Sequence, residues 1–169
     1  MKILDSSVFI LFLNEIEGLD YFKMLRDSGE SLFIPSSVYT ELKDSEIVST
    51  IDMLITEKII FEIDSIDEGY KEFLRHRHPS LGNGELNVLT VTHQLTKDNN
   101  SIQCGIDDKL ARKIAKELGF NLTGAIGLLK ILKDQKLLSS NELKNVVETI
   151  TKSSFRIDTS ILRKELLDE

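Results

Sequence analysis

The chain has 169 residues, 41% hydrophobic and 29% charged, with 9 Gly and 2 Pro, which fits one compact domain with a short appendage and excludes a large multidomain, linker-rich or fibrous protein. Twenty-one Lys and Arg stand against 28 Asp and Glu, and the resulting net charge of -7 counts against a partner coated in phosphates. The lone Cys104 cannot form an internal disulfide and has no Cys/His cluster around it, so a reducing compartment is expected and a thiolate metal site is not.

Short β-rich runs alternate with longer stretches of helical period, the order of an α/β protein with a central, mainly parallel sheet. Ile3 and Leu4 open a strand; Asp5, Ser6 and Ser7 can cap the helix that follows, and Gly18 divides it from a second helix, Leu19 to Arg26. The apolar patch Val8 to Leu13 lacks a basic flank and a cleavage site, and no run approaches the ~20 residues needed to span a bilayer, so a cytoplasmic protein is expected. Ser31 to Ile34 reads as the second strand, with Pro35 in the first turn of a helix reaching Lys43. A helix over Glu46 to Lys58 runs into a β-like stretch, Ile59 to Ile63. Helices follow over Ile66 to His76 and, after a Gly82-Asn83-Gly84 turn, to about Thr96.

Ile102 to Ile106 is a strand, Asp107 or Asp108 caps a helix through Leu118, Gly119 ends it, and Asn121 to Thr123 forms a last short strand before a helix from Gly124 to Lys136. Residues 1–138 thus form the domain and 139–169 a helical extension over Asn141 to Thr151 and Ser160 to Leu167. The stripe Leu143, Val146, Val147 and Ile150 needs a cover, and Ile157, Ile161, Leu162 and Leu166 can supply it.

Four carboxylates stand where buried stripes begin or run. Asp5, Glu85 and Asp107 each lie three and four residues before an apolar pair, at Val8 and Phe9, at Val88 and Leu89, and at Leu110 and Ala111; Glu41 flanks Val38 and Leu42. Asp5 and Asp107 fall at the carboxyl ends of strands, where open α/β sheets bind ligands. Were all four to converge, each pair of like charges at ~4 Å would repel by about 4 kcal/mol at an effective dielectric of 20. Protons or cations must then offset the charge, and all-oxygen donors suit Mg²⁺ or Mn²⁺. Taken singly, Asp5 and Asp107 also read as helix caps, Glu41 as a solvated helix residue and Glu85 as a favourable first-turn charge.

The runs ILDSSVFI, IPSSVYTEL, LGNGELNVLTVTH and GIDDKLARKIAKELG resemble, in order and spacing, the four acidic motifs of the PIN-domain family, and NLTGAIGLLKILKDQKLL resembles the closing segment of a prokaryotic subgroup of VapC-toxin type. The resemblance implies a three-layer α/β/α fold and a metal-dependent ribonuclease. It further implies catalytic and metal-holding Asp5, Glu41, Glu85 and Asp107, with Asp108 beside the last, Mg²⁺ or Mn²⁺ as cofactor, RNA as substrate, a small antitoxin as partner, and a homodimer. Two positions depart from the family: Gly105 stands where Thr or Ser is common, and Glu85 where many members carry Asp.

Ser6 and Ser7 can bond Asp5 or the scissile phosphate, although helix capping serves them equally. Lys109, Arg112, Lys113 and Lys116 recur at three- and four-residue steps and can hold the phosphate backbone or form a solvated face. Arg75 to His78 reads as an exposed helix end, His93 as a polar-face residue and Cys104 as a small core residue. A non-catalytic PIN-fold interaction module is the competing reading. A haloacid-dehalogenase-like phosphatase would need an Asp where Ser7 stands.

Overall fold

The computed structural model describes residues 1–64, 66–97, 101–155 and 157–168. Five strands, β1 (Lys2–Leu4), β2 (Leu32–Pro35), β3 (Ile60–Ile63), β4 (Gln103–Gly105) and β5 (Asn121–Thr123), form one sheet in the order β3-β2-β1-β4-β5. Every pairing is parallel, so each connection must cross back over the sheet, and helices make those crossings. The strands are correspondingly apolar: Ile3, Leu4, Leu32, Ile34, Ile60 and Cys104 are all out of contact with water.

Ten α-helices lie among the described residues and complete a three-layer α/β/α arrangement. The first, α1 (Ser6–Ile10), continues into a π-helical turn (Leu11–Glu15); then come α2 (Leu19–Asp27), α3 (Ser36–Leu42), α4 (Val48–Thr56), α5 (Glu68–Arg77) and α6 (Asn83–Thr96). After β4 come α7 (Lys109–Glu117), α8 (Ala125–Asp134), α9 (Ser140–Lys152) and α10 (Thr159–Leu167). Phe22 of α2 stacks on Phe9 at 5.6 Å between ring centroids and tilts against Phe12 at 5.1 Å, anchoring the first two helices in the core.

Local chemistry shifts three expected boundaries. Pro35 is the last residue of β2, paired in register with Ile63, and stands at the N-cap of α3 instead of in its first turn; having no N–H, it can close a ladder but not extend one. The Gly82-Asn83-Gly84 run is not a separate turn: Gly82 is the extended N-cap of α6, and Asn83 and Gly84 already lie in its first turn. Gly18 is the N-cap of α2 with φ -88, and the left-handed residue that breaks the chain before it is Glu17, with φ 50. Gly119, by contrast, does end α7 in the left-handed region, with φ 77.

The C-terminal helices cover each other and the domain. A capping box between Ser139 and Glu142 starts α9, whose Leu143, Val146, Val147 and Ile150 are buried together with Leu162 and Leu166 of α10. Lys133 of α8 ties α10 down by donating to the Glu165 carbonyl at 3.0 Å and the Asp168 carboxylate at 2.7 Å. Ile161 does not join the cover: it is 51% exposed, one helical face away from Leu162.

The departure at Gly105 has a packing cause. Leu4 and Gly105 are register partners, and a Cβ on Gly105 would stand 2.6 Å from Leu4 Cδ2 and 3.0 Å from the Ile3 carbonyl. Gly105→Ser is therefore expected to lower unfolding stability by about 1–3 kcal/mol through overpacking. Urea unfolding of both proteins measures it, and equal midpoints would show that β1 and β4 part without cost.

Candidate active site

The sheet order places the site. From β1 the chain builds outward through β2 and β3, then returns to set β4 and β5 on the other side, so the crevice beyond the carboxyl ends of β1 and β4 is the topological switch point. Asp5 follows β1 directly, and its N–H donates to the Gly105 carbonyl at 2.9 Å. Asp107 lies two residues beyond Gly105, so the two aspartates leave neighbouring strands into one crevice.

Two helices bring further carboxylates. α3 carries Glu41, and the first turn of α6 packs against α3 and over β1 and β4. The point of convergence is Gly84: a Cβ there would stand 2.7 Å from Glu41 Oε2 and 3.1 Å from Asp5 Oδ1. Any side chain at this position would push the two acids apart. The Gly84 N–H and the Ser6 hydroxyl donate to Glu41, and the Ser7 hydroxyl donates to Asp5 Oδ2 at 3.1 Å. The Glu85 carboxylate folds back over its own N-cap, Gly82, close enough to act electrostatically on both Asp5 and Glu41.

These acids are held out of water at one another's expense. Burial, reinforced by the Glu85 charge, pushes the Asp5 carboxyl up from 3.8 to about 7, against the opposing hydrogen bonds from Ser6 N–H and the Ser7 hydroxyl. Burial and Glu85 likewise raise Glu41. Asp5 is 3% exposed, and its Oδ1 has no hydrogen-bond partner among the described residues, an expensive condition for a carboxylate oxygen.

Asp107 is partnered differently. Both its oxygens accept from the Ala125 N–H at 3.1 Å, so it caps α8 across the β4–β5 boundary, and Gly124 leaves the room it needs. Burial raises its pKa, partly offset by that N–H and by the Arg112 charge. Arg112 Nη1 donates to the Ile106 and Thr123 carbonyls at 2.7 Å each, clamping the ends of β4 and β5. Asp108 caps α7 by accepting from the Ala111 N–H at 2.8 Å, and Lys109 opens that helix in the exposed first turn.

Four acids at strand and helix ends around a 3-2-1-4-5 parallel sheet form a specific constellation, and a family model described as a PIN domain matches residues 1–168. The chain belongs to the PIN-domain family. The match takes in α9 and α10 as well as the sheet, and PIN domains generally have a nuclease-type fold. No curated protein and no solved structure matches the chain.

PIN-domain chemistry calls for a divalent cation, and the donor set here suits one. Asp5 Oδ1, buried without a partner beside Glu41, is a hard oxygen in want of a positive charge. Among the described residues no three His, Cys, Asp or Glu side chains close into a complete cation cage. The reason is visible: Glu85 is turned over Gly82 and Asp107 is engaged with Ala125.

Two contributors escape a sequence reading. Gly84 was legible only as a turn residue, and nothing local in the sequence marks it as the gap into which two carboxylates point. Arg112 sits in the expected basic stripe, but its tie to two strand ends depends on β5 lying beside β4. His93 is not a simple polar-face residue of this PIN domain: its ring stacks on Tyr70 at 3.6 Å with Phe120 beyond it at 6.3 Å. Cys104 is fully buried and burial pushes its thiol up to about 12, as a core residue requires. Arg75 and His76 end α5 on the exposed surface, both facing Glu72.

Folded Asp5 holds its proton to about pH 7, whereas the unfolded chain releases it near 3.8, so folding takes up a proton and stability falls as pH rises across that window. Glu41 and Asp107, also raised, act with the same sign. In chelator, Asp5→Asn should therefore raise the melting temperature at pH 8, by up to roughly 4 kcal/mol in stability, with the gain shrinking toward pH 4. Thermal melts across that range check it; a gain independent of pH would mean that Asp5 is not the titrating group.

Proposed function

We propose that this PIN-domain protein is a Mg²⁺- or Mn²⁺-dependent endoribonuclease that hydrolyses RNA phosphodiester bonds, the toxin component of a toxin–antitoxin pair. The observation that carries the reading is the buried, unpartnered Asp5 oxygen set beside Glu41 at the β1/β4 switch point.

Asp5 and Glu41 would hold the cation, with Glu85 joining by rotation away from Gly82 and Asp107 directly or through water. When bound, a divalent ion supplies an activated water and charge neutralisation at the leaving oxygen, so no side-chain nucleophile is required. Ser7 bonds Asp5 and Ser6 bonds Glu41, which steadies both acids and leaves Asp5 Oδ1 for the cation. Asp108 serves this arrangement by starting α7, which carries Lys109 and Arg112 beside the Asp107 side of the site. Those two cations meet the substrate's phosphates, Arg112 with the nitrogens it does not spend on the strand ends.

The family resemblance supports the remaining parts of the proposal: a small antitoxin protein that covers the acidic crevice, a homodimer, and a cytoplasmic location. No helix among the described residues is long and apolar enough to cross a membrane.

The test is cleavage of a mixed single-stranded RNA pool with Mn²⁺, with Mg²⁺ and with EDTA. Wild-type protein should cut only with metal. Asp5→Asn and Asp107→Asn should each lose more than the roughly 10–100-fold that removal of an outer-sphere partner costs, with circular dichroism unchanged. Full activity in both variants sinks the reading and leaves a PIN-fold module that acts through protein contacts.

A further inference from the structure

A cleft of about 1210 Å³ opens beside Asp107 and runs between α7, the first turns of α8, and α10. Its walls carry five cationic side chains, Lys109, Arg112, Lys113, Lys116 and Lys130. Its floor is aliphatic: Leu110 and Ile161, 40% and 51% exposed, with Leu122, Ile126 and Ile157 between them. No other described part of this acidic chain combines exposed apolar surface with such a row of lysines.

The acids that share the cleft are spent on local structure. Asp108 caps α7, Asp158 caps α10 through the Ser160 and Ile161 N–H groups, Asp107 accepts from Ala125, and Glu165 pairs with Lys130 at 3.0 Å. The lysines of α7 are not spent. The side chains of Lys109 and Lys116 make no hydrogen bond or ion pair among the described residues, and Lys113 reaches Glu117 only at 4.0 Å. Lys109, Lys113 and Lys116 recur about once per helical turn, ~5.4 Å apart along the axis, a regular ladder of positive charge above an apolar floor.

An occupant that satisfies both surfaces must carry regularly spaced negative charge on one edge and apolar faces on the other. We propose that this cleft is a channel for single-stranded RNA flanking the cleaved bond, its phosphates on the α7 lysines and its unpaired bases on Leu110 and Ile161. The assignment rests on the nuclease reading for its substrate. That reading puts the scissile phosphate beside Asp107, and the strand must leave the site along some surface; this one begins there and carries the complementary charge. Paired bases would hide their faces from the floor, so the channel selects single strands. The channel also gives α10 a role: held to α8 by Lys133, it supplies Ile161 to the apolar floor.

Binding of a short fluorescent single-stranded RNA in EDTA, followed by anisotropy across a salt series, tests the channel separately from catalysis. The Lys113→Glu/Lys116→Glu protein should bind about tenfold or more weakly and show a salt slope smaller by about 1.4, the counterion release of two phosphates. Ile161→Ser, at an exposed position that keeps the fold, should weaken binding while leaving the slope unchanged, and a duplex of the same sequence should bind less well than the single strand. Wild-type affinity in both variants overturns the assignment and leaves the cleft to a protein partner, even where wild-type protein cuts RNA with metal. Loss of metal-dependent cleavage by wild-type protein, with the binding differences intact, overturns the nuclease reading and not the channel.

Discussion

Asp5 sits where the sheet reverses its strand order, almost wholly buried, with a carboxylate oxygen that no group among the described residues satisfies. Around it the fold is arranged to tolerate that condition rather than relieve it. Gly105 lets β1 and β4 close at the register from which Asp5 and Asp107 continue; Gly84 has no Cβ where one would stand against both Asp5 and Glu41. The two serines after β1 donate to the two acids, yet burial and the Glu85 charge still outweigh them, as the raised Asp5 pKa records. A core side chain would stabilise the same position by about 1.5–3 kcal/mol, so Asp5 is held there at a cost to folding.

On the proposed ribonuclease reading, the same constraint would let an acidic chain serve a phosphate-bearing substrate. A net charge of -7 is a property of the whole surface, whereas binding is decided over a Debye length of about 10 Å. Within that range a cation held by the acids of the crevice, as proposed, would invert the local field. Beside the crevice α7 shifts the balance, since the cleft is lined by five cations against four acids, Asp107, Asp108, Asp158 and Glu165. Affinity for nucleic acid then depends on a small number of contacts and is strongly sensitive to salt.

The C-terminal helices belong to this arrangement and not merely to its periphery. α9 and α10 bury their apolar stripes against one another, and α10 is fastened to α8, the helix whose first N–H is capped by Asp107. Loosening α10 would therefore disturb the wall of the cleft without touching the crevice itself. The physical link is short: Lys133 holds the end of α10 by two bonds, and Lys130, one turn earlier on α8, pairs with Glu165.

What the sequence determined by itself is local. Strand runs such as Ile3-Leu4 and Leu32 to Ile34, the helical stripes between them, Gly119 as a stop, and Asp5 and Asp107 at strand ends all follow from periodicity and capping, which act within a few residues. The family motifs named the four acids for the same reason, since each is a short run. The sequence did not determine the order β3-β2-β1-β4-β5, which alone makes neighbours of Asp5 and Asp107, residues about a hundred positions apart. Nor did it determine that Glu85 turns back on Gly82, that Arg112 clamps two strand ends, that His93 stacks on Tyr70, or that Ile161 faces a cleft instead of the core. Those are decided by side-chain direction and by contacts between elements remote in sequence, where a few tenths of an ångström of space at a glycine settles which groups may meet.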